Sequence, residues 1–173
     1  MNWINVLISI SKIFNNINKI SGYICAFLVI LMTFNVFLVV LLRYLFGINF
    51  IWMQETYVWM HAFIFMIGSG FTYLLNEHVR IDIIYRDASK NYKKIINTIG
   101  ILFFLLPFLY LIFKFSFPFV YKSYEMNEIS RETGGLGMLF LLKSSILFFA
   151  ILLTLQALSK IIMDFLGYDD YDS

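Results

Sequence analysis

The sequence predicts an all-α integral membrane protein, with four transmembrane helices accompanied by interfacial amphipathic helices. Three observations carry that prediction. Of the 173 residues, 61% are hydrophobic and 14% are charged, against about 25% charged in ordinary soluble domains. Three stretches, 20–42, 56–76 and 95–113, hold no charged residue and are long enough to cross a hydrocarbon core about 30 Å thick, which takes roughly 20 helical residues. No segment has the alternating pattern of a membrane barrel, and in lipid only helices and closed barrels satisfy their own backbone groups.

The elements follow in chain order. Residues 1–19 read as a surface helix: Asn2, Asn5, Ser9, Lys12, Asn16 and Lys19 fall on one side. Trp3, Leu7, Ile10, Phe14 and Ile17 recur on another with a 3.6-residue period. Their apolar run is too short and broken for a cleavable signal. The first span, 20–42, contains Cys25, the single cysteine. It reads as a buried small hydrophobe, and it excludes an intramolecular disulfide or a cysteine metal cluster.

Residues 43–55 carry Trp52 and several apolar side chains between Arg43 and Glu55, which suits the interface. The second span is 56–76. The connection 77–94 is short and basic, and the third span, 95–113, should kink at Pro107. The longest connection, 114–143, holds Glu125, Glu128, Arg131 and Glu132. The last charge-free run, 144–159, reaches spanning length as 144–163 when Lys160 snorkels to the headgroups. The tail from Asp164 is short and acidic, and with no repeat or soluble module the chain reads as a single membrane domain, 1–173.

The net charge is +2 with the basic residues scattered among connections, so nothing points to nucleic acid. They read as topology signals. With a cytoplasmic amino terminus, Lys12, Lys19, Arg80, Arg86, Lys90, Lys93, Lys94 and Lys160 lie inside and Arg43, Lys114, Lys122, Arg131 and Lys143 outside. Eight against five places both termini in the cytoplasm.

The spans lack the parts of a carrier. Ion-coupled carriers place ionisable groups or broken helices near the midplane. Here the interior polar residues are Thr33, Asn35, His61, Ser69, Thr72, Asn97, Thr98, Thr154 and Gln156, whose ordinary role is hydrogen bonding between helices. Gly68 and Gly70 suit close helix approach. A haem held by two histidines would need His61 and His78, 17 residues apart on one helix, or about 25 Å. No nucleophile and base are discernible by spacing. The chain reads as an accessory or scaffold without a cofactor, not an enzyme.

Residues 43–85 read RYLFGINFIWMQETYVWMHAFIFMIGSGFTYLLNEHVRIDIIY. Trp52, Gln54, Glu55, Trp59, Gly68 and the run His78, Val79, Arg80, Ile81, Asp82 resemble the small membrane subunit of tripartite ATP-independent periplasmic (TRAP) transporters. Residues 123–136, SYEMNEISRETGGL, with Lys143, Leu155 and Gln156, are similar to the branch of mannitol- or chloroaromatic-type systems. One departure is Gly137, where the family commonly has proline. The resemblance spans about 40–160. It implies a large membrane subunit that carries solute and sodium ions by an elevator motion, and a soluble periplasmic binding protein that delivers the solute. This subunit would brace the large one, surrounded by membrane lipid.

The candidate partner-interface residues are Arg43, Trp52, Glu55, Trp59, His78, Arg80, Asp82, Glu128, Arg131 and Glu132. Glu55 stands four residues before Trp59 on one helical face, for contact with the large subunit or the first connection, or for simple solvation. His78, Asp82 and Arg86 are spaced by four and on a continuing helix would form a polar chain, as a joint with the partner or an exposed helix end. Glu125, Glu128 and Glu132 would share a face if helical, either solvated or docking the binding protein. Two other classes stay open on the residues alone: a free-standing four-helix protein binding a cofactor or lipid, and a small self-assembling carrier.

Overall fold

The computed structural model describes residues 3–78 and 89–167, and these form helices with no strand among them. Helix α1 runs Trp3–Phe46, α2 Ile51–Leu74, α3 Lys90–Gly100, α4 Leu106–Glu125 and α5 Leu139–Leu166. A π-helical turn, Ile101–Leu105, joins α3 to α4 without a break. Four helices are therefore long and apolar enough to cross a membrane.

Each expected span lies on one of the four, apart from residues 75 and 76, but the helices are longer than the charge-free runs. α1 is 44 residues, about 66 Å, and takes residues 3–19 of the expected surface helix and the span 20–42 into one helix. The connection expected over 43–55 shrinks to 47–50, which puts Trp52 and Glu55 on α2. That expected over 114–143 shrinks to 126–138. The reason is shared: Lys and Arg are good helix formers, so a charge marks where lipid ends and not where a helix ends.

The real stops are conformational. Gly47 adopts φ 67 at the end of α1, a left-handed conformation that costs glycine nothing. Asn76 and Asn127 do the same after α2 and α4, at φ 60 and 46. After α2 the Glu77 N–H returns to the Thr72 carbonyl and the Asn76 N–H to Tyr73, each at 3.1 Å, the double closure of a Schellman motif.

The kink expected at Pro107 takes the form of the π turn just before it. Proline offers no N–H to the carbonyl four residues back, and the wider turn relieves that clash.

Side-chain pairings fix the topology. Ser11 meets Ser159 and Asn18 meets Gln156, so α1 and α5 are antiparallel. The Cys25 thiol, buried as expected, donates to the Ile64 carbonyl of α2 at 3.6 Å. Gly22 lies under the Phe71 ring, where a Cβ would sit 2.5 Å from a ring carbon. α5 touches α1, α2 and α4, whereas α4 touches neither α1 nor α2 among the described residues. The result is a three-helix core of α1, α2 and α5, with α4 standing outside it on α5 alone.

Candidate functional site

Two polar assemblies sit at opposite ends of the core. At the end holding Trp3, Leu74 and Leu166, a seam of neutral groups joins α1 to α5. The Ser11 and Ser159 hydroxyls lie 2.6 Å apart. Ser159 also donates to Asn15 Oδ1 at 2.7 Å, which receives Gln156 Nε2 at 3.1 Å. Asn18 Nδ2 donates to Gln156 Oε1 at 3.0 Å and to the Leu152 carbonyl at 3.3 Å. Ser11 and Asn18 are wholly buried, Ser159 and Gln156 nearly so.

The seam forms because Ser11, Asn15, Asn18, Gly22 and Cys25 recur every three or four residues, a stripe of small and polar side chains on one helical face. Gly70 of α2 closes it. A Cβ there would lie 2.0 Å from Asn18 Oδ1 and 3.2 Å from the Leu152 backbone, so the third helix reaches the seam only without a side chain. Asn18 Oδ1 is buried with no hydrogen-bond partner. Sequence reasoning named Gln156 but missed Ser11, Asn15 and Asn18, although their spacing was the available signal.

At the other end the loop 126–138 is pinned by two carboxylates. Glu55, projecting from the first turns of α2, accepts from the Ser130 hydroxyl and from the Leu136 N–H, the latter at 2.5 Å. The loop reaches this close because residue 135 is glycine: a Cβ would meet Ser130 Oγ at 2.6 Å and Glu55 Oε2 at 2.7 Å. Glu128 accepts from Lys143 of α5 and, at 2.6 Å, from Ser123 of α4. The Lys143 ammonium, and then the Ser123 hydroxyl, hold the Glu128 carboxyl below the ordinary carboxylate range. Lys143 also stands over the Phe119 ring, 4.1 Å from its centre.

Backbone bonds finish the loop. Ser130 N–H donates to the Leu136 carbonyl and Leu139 N–H to that of Glu128, both at 2.9 Å. Between them Met138 sits at φ 57, a conformation costing a non-glycine residue about 1–2 kcal/mol. Gly137, the departure from the family's proline, directly precedes it.

Several expected arrangements differ. Glu125, Glu128 and Glu132 share no helical face, because α4 stops at Glu125: Glu128 turns inward to Lys143, while Glu125, Arg131 and Glu132 are exposed. Glu55 engages Ser130 and Leu136 rather than the first connection. His78 lies beyond the end of α2, its ring 5.5 Å from that of Tyr73, so the helix assumed for a His78–Asp82–Arg86 chain does not extend to it; Arg80, Asp82 and Arg86 lie outside the described residues. Arg43 is exposed in the last turn of α1, Trp52 is exposed beside Phe50, Trp59 is half-buried and His61 is exposed.

Most interior hydroxyls also bond within their own helix rather than across helices. Thr33 donates to Val29, Thr72 to Gly68 and Thr154 to Ala150, the back-bonding by which a hydroxyl satisfies itself locally.

The family described as "Tripartite ATP-independent periplasmic transporters, DctQ component" matches residues 19–167, which include the loop assembly and the α5 side of the seam. No curated protein and no solved structure matches the chain. Membership implies partnership with a large membrane subunit and a solute-binding protein. With four membrane-spanning helices and most of its length matched, the chain belongs to the DctQ family: it is the small membrane subunit of a TRAP transporter, a transport component and not an enzyme.

Proposed function

We propose that this subunit braces the large transport subunit in a bacterial inner membrane during sodium-coupled uptake of an organic acid or related solute, and helps to dock the solute-binding protein. One observation carries the bracing role. The buried polar residues among those described are Ser11, Asn18, Ser21, Ser123, Ser145, Gln156 and Ser159, all neutral. A chain that moved ions or acids through its own interior would hold ionisable groups or opened helices there. Its grooves are greasy as well: a hollow of about 420 Å³ between α4 and α5 is lined by Leu106, Leu109, Tyr110, Phe113, Ala150, Ile151, Thr154 and Leu155.

The docking role draws on the pinned loop, which holds the exposed Ile129, Arg131 and Glu132 in one conformation, a preorganised surface for a soluble partner. Contact through Arg131 and Glu132 would weaken with salt. The excess of basic residues on one side supports cytoplasmic termini, which puts this loop in the periplasm. Residues 123–136 support the mannitol- or chloroaromatic-type branch.

The test is co-expression of a tagged chain with the large subunit of its system. Recovery of the two in fixed proportion from detergent is expected. Recovery of the tagged chain alone from membranes that contain both would contradict bracing.

A further inference from the structure

Two polar side chains inside the spans go unsatisfied by this chain. Asn35 of α1 is half-buried, and its Oδ1 is closed in with no hydrogen-bond partner. His61 of α2 is exposed and finds no hydrogen-bond or ring partner among the described residues. By contrast Thr33, Ser69, Thr72 and Thr154 bond to their own helices, and Gln156 lies in the seam.

Both lie at membrane depth, and the structure marks the outer boundary. Glu55 is clasped to the loop 126–138, which displays the charges of Arg131 and Glu132. An irregular, charged loop stays out of hydrocarbon, so lipid begins past Glu55. From there to Glu77 the charge-free run is 56–76, about 30 Å of helix and turn, no more than a hydrocarbon core needs. Little room is left to slide it, and His61 sits about 9 Å beyond Glu55. On α1 the charges Lys19 and Arg43 bracket 20–42, and any stretch of roughly 20 residues placed inside that run contains Asn35. It lies about 12 Å from Arg43, close to the depth of His61.

The two also face the same way. At about 100° per residue, the α5-bonded Ser11, Asn15 and Asn18 fall to one side of Cys25, which meets α2. Asn35 falls about 80° to the other side. On α2, Gly70 lies against the Leu152 backbone of α5, and His61, nine residues earlier, points the opposite way. Asn35 and His61 therefore share the flank of the α1–α2 pair that turns away from α5, among the exposed Ile24, Leu31, Val58 and Phe65.

Lipid tails offer nothing to bond there, and an amide or imidazole without a partner in hydrocarbon is costly. We propose, on the strength of the bracing role, that this flank is the face by which the subunit holds the large transport subunit. A transmembrane helix of that subunit lies along α1 and α2, and a neutral hydrogen-bonding side chain on it pairs with Asn35 and His61. The occupant is a membrane helix because a soluble partner stops at the headgroups, and the large subunit is the membrane partner that family membership implies. Its group is neutral because a charge at this depth costs far more than an amide or hydroxyl.

The test uses the tagged complex in native membranes, with Asn35→Leu, His61→Leu, both together, and His61→Gln, compared at equal membrane level by immunoblot. Recovery of the large subunit with the tag should fall about threefold for each leucine change and further for the pair, while His61→Gln, which keeps a hydrogen-bonding group, stays nearer normal. The purified subunit alone should melt no lower with Asn35→Leu, because that change removes an unpaired buried oxygen. A photo-crosslinking residue in place of Phe65, one turn from His61, should join this chain to the large subunit, and the band should fade with the double leucine change. A Phe65 probe that captures only lipid or a second copy of this chain overturns the face, as does undiminished recovery with the double change. Wild-type chain that recovers no large subunit overturns bracing itself, and the face with it.

Discussion

The two polar ends of the core solve the same problem with different chemistry. The α1–α5 seam uses amides and hydroxyls, and the loop end uses carboxylates and an ammonium. Burial accounts for the difference. The seam is sealed between three helices, where a neutral group costs a few kcal/mol if unpaired and an ion far more. The loop charges keep part of their surface open, since Glu128 is 35% and Lys143 16% exposed at the side chain. The seam should therefore govern whether the helices assemble, and the clasp should govern the shape of the loop without much effect on the bundle.

Gly70→Leu attacks the seam hardest. Its side chain would overlap Asn18 Oδ1 and the Leu152 backbone, and overpacking of this kind costs about 1–3 kcal/mol or more. Thermal unfolding in detergent should show the largest loss of any single change considered. Asn18→Leu comes next: it strands the Gln156 oxygen and the Leu152 carbonyl, at about 1–2 kcal/mol. Adding Gln156→Leu should cost less than the sum of the single changes, because both partners of that bond are then gone. An additive result would mean that the two amides are not coupled.

The loop responds to a different probe. Gly135→Ala pushes a methyl group between Ser130 and Glu55 and should open the loop with little change in melting temperature. Trypsin cleavage after Arg131 should accelerate severalfold, while a lower melting temperature with unchanged cleavage would reverse the assignment of roles. The smallest effect concerns pH. The Glu128 carboxyl is held below its ordinary range by Lys143 and Ser123. Its contribution is therefore complete above the ordinary carboxylate range and is lost as pH falls through the depressed folded value. Trypsin cannot follow this, so loop opening on acidification is read by acid-active proteolysis, and Lys143→Met should move the opening to higher pH.

The spans were legible because lipid excludes charge, and four apolar runs announce four crossings. Their limits were not, because Lys114, Lys122 and Lys143 interrupt a hydropathy pattern without interrupting a helix. Residues 1–19 looked amphipathic through Lys12, Asn16 and Lys19, but the stripe that positions α1 is Ser11, Asn15 and Asn18, which bonds to α5. At the loop, Glu55 and Glu128 were singled out as contacts for a partner, and the structure shows both bonding within the chain. Their partners were hidden, since Ser130 and Leu136 lie 75 and 81 residues from Glu55, and an assumed helix through 125–132 concealed the turn toward Lys143.

The central claim is that this chain supports transport and does not perform it. The most direct measurement is solute uptake, driven by a sodium gradient and supplied by the solute-binding protein, into vesicles containing this subunit alone, the large subunit alone, or both. Uptake that needs the large subunit and is restored in full by adding this one is the expected result. Accumulation in vesicles holding only this chain would contradict the account.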